Sequence, residues 1–213
     1  MNNTFDKIYL INMEERTDRY ASMELLFNKI GVTDFELIRP LAPDSFTGQS
    51  KLQPTMLSCK EAHLRIYRDA IEKGYRKIMI FEDDCVLNQD DASIERDIEY
   101  HLSRCRDFVD NNDFDLFYYD NIFVAKKRDM QMYEFARLIT DKEVQRFKGK
   151  PFSHSYVITA SAAQRMLDFS ASRDENIDND LQNLASDKKY FYTRGIFDQK
   201  LNERSDNTWN TDY

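Results

Sequence analysis

The stretch KIMIFEDD, residues 77–84, decides how this chain is read. Lys77 to Phe81 is a short run rich in apolar side chains, the pattern of a strand buried on both faces. Three carboxylates, Glu82, Asp83 and Asp84, follow it directly. In an open parallel sheet, ligands bind beyond the carboxyl ends of the strands. Adjacent carboxylates repel one another unless a cation or hydrogen-bond donors compensate. A hard divalent ion such as Mg²⁺ or Mn²⁺ suits oxygen ligands and bridges to phosphates. The competing reading is a solvated acidic turn, because the chain has 38 acidic residues to place.

Upstream, KIYLI (7–11) reads as a buried strand, and Asn12 to Arg16 as a polar turn. Thr17 to Ile30 has helical periodicity, with Tyr20, Met23, Leu26, Phe27 and Ile30 on one face and Gly31 as a stop. FELI (35–38) is a second strand, and Pro40 to Pro54 a long loop. Leu57 to Lys73 is a second helix, with Leu64, Tyr67, Ala70 and Ile71 inward. The order β-α-β-α-β predicts a parallel sheet covered by helices. Downstream, Ser93 to Val109 reads as a helix, and Phe114 to Tyr119 and Ser155 to Thr159 as strands. Ser161 to Phe169 and Leu181 to Ala185 read as short helices, and the chain from Arg194 onward as polar and irregular. Residues 126–150 receive no assignment.

The 213 residues suit a single domain spanning 1–213. With Gly 5 and Pro 4 there is neither a G-x-x-x-x-G-K-[ST] nor a G-x-G-x-x-G loop, so any nucleotide is held another way. The formal charge of −8 argues against nucleic acid as a partner. No apolar run is long enough to span a membrane, and Met1 to Lys7 does not look like a signal peptide. Cys59, Cys85 and Cys105 form no C-x-x-C pair, which fits a reducing compartment and predicts a cytoplasmic protein.

Two further features bear on chemistry. The turn Asn12 to Arg19 opens a helix at the same sheet edge as the acidic triplet. Helix N-termini and guanidinium groups both favour phosphate oxygens, although Thr17 or Asp18 could simply cap the helix. Cys59 and His63 are four apart on one helix face. With no second pair, a packed cysteine beside a hydrogen-bonded histidine is preferred over a zinc site.

These segments, taken together, resemble glycosyltransferase family 25. KIYLINMEERTDRYASM resembles the family's first strand with its Ile-Asn (Ile11, Asn12) and the following Arg-x-Asp-Arg (Arg16, Asp18, Arg19). LSCKEAHLRIYRDAIEKGYRKIMIFEDDCVL resembles its middle block, matching at Cys59, His63, Leu64, Glu82, Asp83 and Asp84 and departing at Glu61 and Ala62. SHSYVITASAAQRML is similar to its Ala-Tyr-x-Ile strand and helix, and NIDNDLQ to its Val-Asp-x-x-Leu, at Asp178. Gln199 and Ser205-Asp206 are similar to a closing Gln…Ser-Asp.

The resemblance implies an α/β fold of the GT-A type, a mixed, mostly parallel sheet flanked by helices. It implies an inverting, metal-dependent transfer from a nucleotide-diphosphate sugar, usually UDP-linked, to a hydroxyl of a glycan or glycoprotein. Under it, Asp84, Asp83 and Glu82 hold Mn²⁺ or Mg²⁺. Ile11, Asn12, Arg16, Asp18, Arg19, Glu82, Asp83 and Gln199 bind the donor. Asp178 is the catalytic base, with Asp180 next in order. A chain rich in lysine and asparagine also fits a member from a large DNA virus that glycosylates its own capsid, acting in the host cytoplasm. Two readings compete: a magnesium-dependent nucleotidyltransferase or phosphohydrolase, and a binding module for nucleotide sugars without catalysis.

Overall fold

The computed structural model describes residues 1–48, 50–89, 91–120, 143–146 and 153–200. Ser205 and Asp206 lie outside them, as does most of the stretch 126–150.

The first strand is β1 (Lys7–Ile11), followed by α1 (Thr17–Ile30) and β2 (Glu36–Ile38). A single 3₁₀ turn, Pro43–Phe46, interrupts the proline-rich loop before α2 (Pro54–Glu72) and β3 (Lys77–Glu82). Gly31 ends α1 at φ 68°, a left-handed conformation that suits glycine. β1 pairs in parallel with both β2 and β3, as the β-α-β-α-β order predicts.

Beyond β3 the chain departs from the simple pattern. After β4 (Cys85–Leu87), the expected helix 93–109 is two helices, α3 (Ala92–Arg96) and α4 (Ile98–Asn111). They are separated at Asp97, whose backbone leaves helical geometry at φ −117°. The rest of the fold comprises β5 (Leu116–Tyr118), β6 (Val144–Arg146), β7 (Ser155–Thr159), α5 (Ala160–Ser170), α6 (Ile177–Asn183), β8 (Lys189–Tyr192) and β9 (Phe197–Gln199). The main sheet has seven strands in the order β2-β1-β3-β7-β5-β8-β6. β2, β1, β3, β5 and β8 run one way, and β7 and β6 run against them. The sheet is therefore mixed and mostly parallel. β6, from the unassigned stretch, closes one edge. β9, in a segment expected to be irregular, pairs with β4 in a separate ribbon.

Alternation along the strands divides the core between the two faces. Ile8, Leu10, Met79 and Phe81 pack with Met23, Phe27 and Ile30 of α1 and Leu102 and Cys105 of α4. Tyr9, Ile11, Ile78 and Ile80 pack with Ile66, Tyr67 and Ala70 of α2, Met166 of α5 and Leu181 of α6. A strand covered by helices on both sides has no polar face, which is why KIYLI and KIMIF read as continuous apolar runs. Among the described residues, no helix is long and apolar enough to cross a membrane.

Candidate functional site

Within the sheet, Ile11 at the end of β1 lies opposite Glu82 at the end of β3. The chain leaves β1 for β2 on one side and returns to β3 on the other. The carboxyl ends of β1 and β3 therefore form a topological switch point, where connections diverge and leave a crevice. A cleft of about 250 Å³ opens there. Ile11, Asn12, Met13, Arg19, Pro40, Pro43, Met56, Cys59, Glu82, Asp83, Asp84, Ser153, His154, Asp178 and Gln199 are among the residues that line it.

The three carboxylates have different surroundings. Asp83 receives Arg19 Nη1 at 2.9 Å on one oxygen and Asn12 Nδ2 at 2.7 Å on the other. Burial still raises its pKa above the ordinary carboxylate value, against these donors. Glu82 Oε1 accepts from Ser153 Oγ and stands 3.1 Å from His63 Nε2. Burial opposes its charge, but His63, Ser153 and His154 hold its pKa below the ordinary value. Asp84, in the turn between β3 and β4, accepts Gln199 Nε2 at 2.7 Å on Oδ2. Its Oδ1 is buried and has no hydrogen-bond partner among the described residues. Burial, reinforced by the charge of Glu82, pushes Asp84 up to about 7. A buried carboxylate oxygen without a donor is costly unless something positive meets it.

The turn after β1 is built from within. Asn12 is buried and donates to Arg16 O at 3.1 Å as well as to Asp83. Arg39, from the end of β2, donates to Asn12 Oδ1 and to the carbonyls of Asn12 and Met13. Neither Thr17 nor Asp18 caps α1; the cap position is Arg16, with no side-chain hydrogen bond to the helix. Arg16 instead donates through Nε and Nη2 to the two Asp18 oxygens, both at 3.1 Å. Neither Arg16 nor Asp18 lines the cleft, whereas Arg19 does.

The start of α6 also lines the cleft. This helix begins at Ile177 rather than Leu181, so Asp178 lies in its first turn. The N-cap is Asn176, whose Oδ1 accepts Asn179 N at 2.8 Å. Capping is therefore not the task of Asp178, which lines the cleft. Asp180 points elsewhere: it is fully buried, with Lys60 Nζ at 2.8 Å and Arg173 Nε at 2.9 Å. Lys60 Nζ also donates to the carbonyls of Arg173 and Glu175, both at 2.9 Å. This cluster fixes the loop that delivers Asp178 to the cleft.

The profile of glycosyltransferase family 25 (LPS biosynthesis protein) matches residues 5–181. The chain belongs to this family. The matched span carries β1, the turn after it, the acidic triplet and Asp178, and ends before Gln199. No curated protein sequence matches the chain. Among solved structures, it is similar to a glycosyltransferase involved in the glycosylation of the major capsid of PBCV-1. That likeness has 8% identity and a TM-score of 0.49, covering 92% of this chain and 93% of the other.

This family 25 chain also brings residues to the cleft that its sequence did not flag. His154 enters just before β7, whose antiparallel course carries its amino end to the carboxyl end of β3. Glu82 N donates to His154 O at 2.9 Å. His154 Nε2 stands 3.4 Å from Asp120 Oδ2, at the carboxyl end of β5. Burial pushes His154 down to about 4, so its ring is neutral near pH 7. Arg19, already among the donor-binding candidates, falls in helical phase with Met23, Leu26, Phe27 and Ile30, the other buried residues of α1. Lastly, Cys59 and His63 do find a third partner, Glu82.

Proposed function

We propose that the chain is a metal-dependent, inverting glycosyltransferase that moves a sugar from a UDP-linked donor to a hydroxyl of a glycan or glycoprotein. The observation that carries this reading is the buried Oδ1 of Asp84, unpartnered among the described residues, in a residue lining a cleft at the β1–β3 switch point. A hard divalent ion fits that oxygen, because a carboxylate set matches Mn²⁺ or Mg²⁺. Both oxygens of Asp83 are taken by Arg19 and Asn12, and Glu82 Oε1 by His63 and Ser153. Asp84 is therefore the direct ligand, and Asp83 and Glu82 supply negative field around it. When bound, the ion acts as a Lewis acid toward the diphosphate leaving group.

The remaining steps fall to the chain's own side chains. Met13, Pro40 and Pro43 give one wall an apolar surface for a nucleobase. Arg39 and Asp83 hold Asn12 rigid, so the β1 turn meets the donor already ordered. Gln199 fixes one Asp84 oxygen and leaves the other for the ion that would be held there. Asp178, which lines the same cleft, takes the proton of the acceptor hydroxyl as it attacks the anomeric carbon from the face away from the leaving group. A single displacement of this kind inverts the anomeric centre. Lys60 and Arg173 act on this step through Asp180, by anchoring the start of α6.

The test is a panel of nucleotide sugars incubated with the protein and Mn²⁺, scored for slow hydrolysis, which needs no known acceptor. Turnover of a UDP-sugar that depends on Mn²⁺ and is lost in Asp84→Ala is the expected result. Binding without turnover would favour a non-catalytic module, and hydrolysis of plain nucleotides a phosphohydrolase.

A further inference from the structure

Cys59 and His63 stand one helical turn apart on α2, facing the end of β3. One ligand atom from each of Cys59, His63 and Glu82 lies within 4.8 Å of the other two. We propose that these three residues form a zinc site distinct from the one proposed at Asp84.

The donor set selects the ion. A thiolate, an imidazole and a carboxylate suit Zn²⁺, whereas Mg²⁺ and Mn²⁺ favour oxygen ligands alone. Zinc–ligand bonds of about 2.0–2.3 Å in a tetrahedron place the ligand atoms roughly 3.3–3.7 Å apart. His63 Nε2 and Glu82 Oε1 are 3.1 Å apart, in a hydrogen bond that the ion would replace, and a ligand atom of Cys59 lies within 4.8 Å of one from each of the other two residues. Three protein ligands leave a fourth position, and Cys59 and Glu82 both line the cleft through which an ion and a water reach it.

Charge and proton balance also close. One thiolate and one carboxylate cancel the ion's two positive charges, which a largely buried site requires. Burial keeps the Cys59 thiol protonated in the metal-free chain, so binding releases that proton to solvent. His63 must offer a bare Nε2, which places its proton on Nδ1. Nδ1 lies 2.8 Å from Tyr156 Oη, which is hydrogen-bonded in turn to Tyr67 Oη. The two hydroxyls can each donate in either direction, so the chain His63–Tyr156–Tyr67 reverses without losing a bond. Tyr156 then accepts from Nδ1–H and orients the ring, as second-shell partners of zinc-bound histidines do.

Co²⁺ serves as a spectroscopic stand-in for zinc. Titrating the whole protein with Co²⁺ is expected to give a thiolate-to-cobalt charge-transfer band that saturates at one equivalent, disappears on adding zinc and is missing in Cys59→Ser. A second measurement uses the wild-type chain alone. Zinc, but not Mn²⁺, is expected to slow alkylation of Cys59 by iodoacetamide about tenfold or more, mapped by mass spectrometry. Lack of the cobalt band overturns the site, as does a band that survives in Cys59→Ser or Cys59 alkylation indifferent to zinc.

Discussion

Gln199 donates its side-chain amide to Asp84 at 2.7 Å, across 115 positions of sequence, and so engages one carboxylate oxygen while the other has no partner among the described residues. The contact is set by the β4–β9 ribbon, in which Cys85 pairs with Gln199. A donor on one oxygen aims the second, so Gln199 orients the carboxylate rather than neutralising it. Replacing it with leucine removes the donor without opening a void. Gln199→Leu is expected to weaken Mn²⁺ binding about 10-fold or more, the usual scale for loss of a partner behind a metal ligand. Unchanged Mn²⁺ affinity by calorimetry would remove Gln199 from the site.

Asp84 also couples the site to pH. Its folded pKa of about 7 lies above its ordinary value of 3.8. Without metal, the folded chain therefore holds this proton more tightly than the unfolded chain does. Asp84's contribution to stability is present in full below about pH 4 and is lost as pH rises through about 7. An ion that binds the ionised form must expel the proton below that pH. Mn²⁺ affinity is expected to rise by up to about tenfold per pH unit toward neutrality and then level off. A pH-independent affinity across this window contradicts the assignment.

Arg19 and Arg16 separate by location. Arg19 is buried against Asp83, and Arg19→Met leaves that carboxylate in the core without its cation. The expected loss is about 3–5 kcal/mol of stability, read by urea unfolding, together with loss of UDP binding. Arg16 pairs with an exposed Asp18 outside the cleft. Arg16→Ala is expected to change stability by less than about 1 kcal/mol and to leave UDP affinity within about twofold. A large loss of UDP affinity in Arg16→Ala would return Arg16 to the donor site.

Asp178 and Asp180 make a paired test. Asn176 caps α6, so Asp178→Asn is expected to keep the melting temperature and donor affinity while transfer falls by about 10² or more. Normal transfer in that variant excludes Asp178 as the base. Asp180→Asn takes the charge away from between Lys60 and Arg173 and is expected to destabilise the fold by about 3–5 kcal/mol. An Asp180→Asn protein that melts normally yet fails to transfer sugar would make Asp180 the base instead.

What the sequence determined by itself is local and periodic. KIYLI and KIMIF are apolar at every position that a strand covered on both faces must bury, so their type and parallel pairing followed from β-α-β-α-β order alone. The acidic triplet could be placed because a carboxyl end is defined by chain direction, not by partners. Tertiary structure decided the rest. SYVIT has the same composition whichever way it runs, and only its antiparallel insertion between β3 and β5 brings His154 beside Glu82. Arg19 rather than Arg16 enters the cleft because of the rotation of α1 on the sheet, which three residues of helical phase decide. Asp178 and Asp180 look alike in NIDNDLQ; buried Lys60, from distant α2, and half-buried Arg173 claim Asp180 and leave Asp178 at the cleft. Gln199 meets Asp84, and Glu82 meets Cys59 and His63, through strand pairings and helix packing that join distant parts of the chain. Side-chain chemistry is written along the chain, but which groups share a site depends on contacts whose long-range pairing no local pattern encodes.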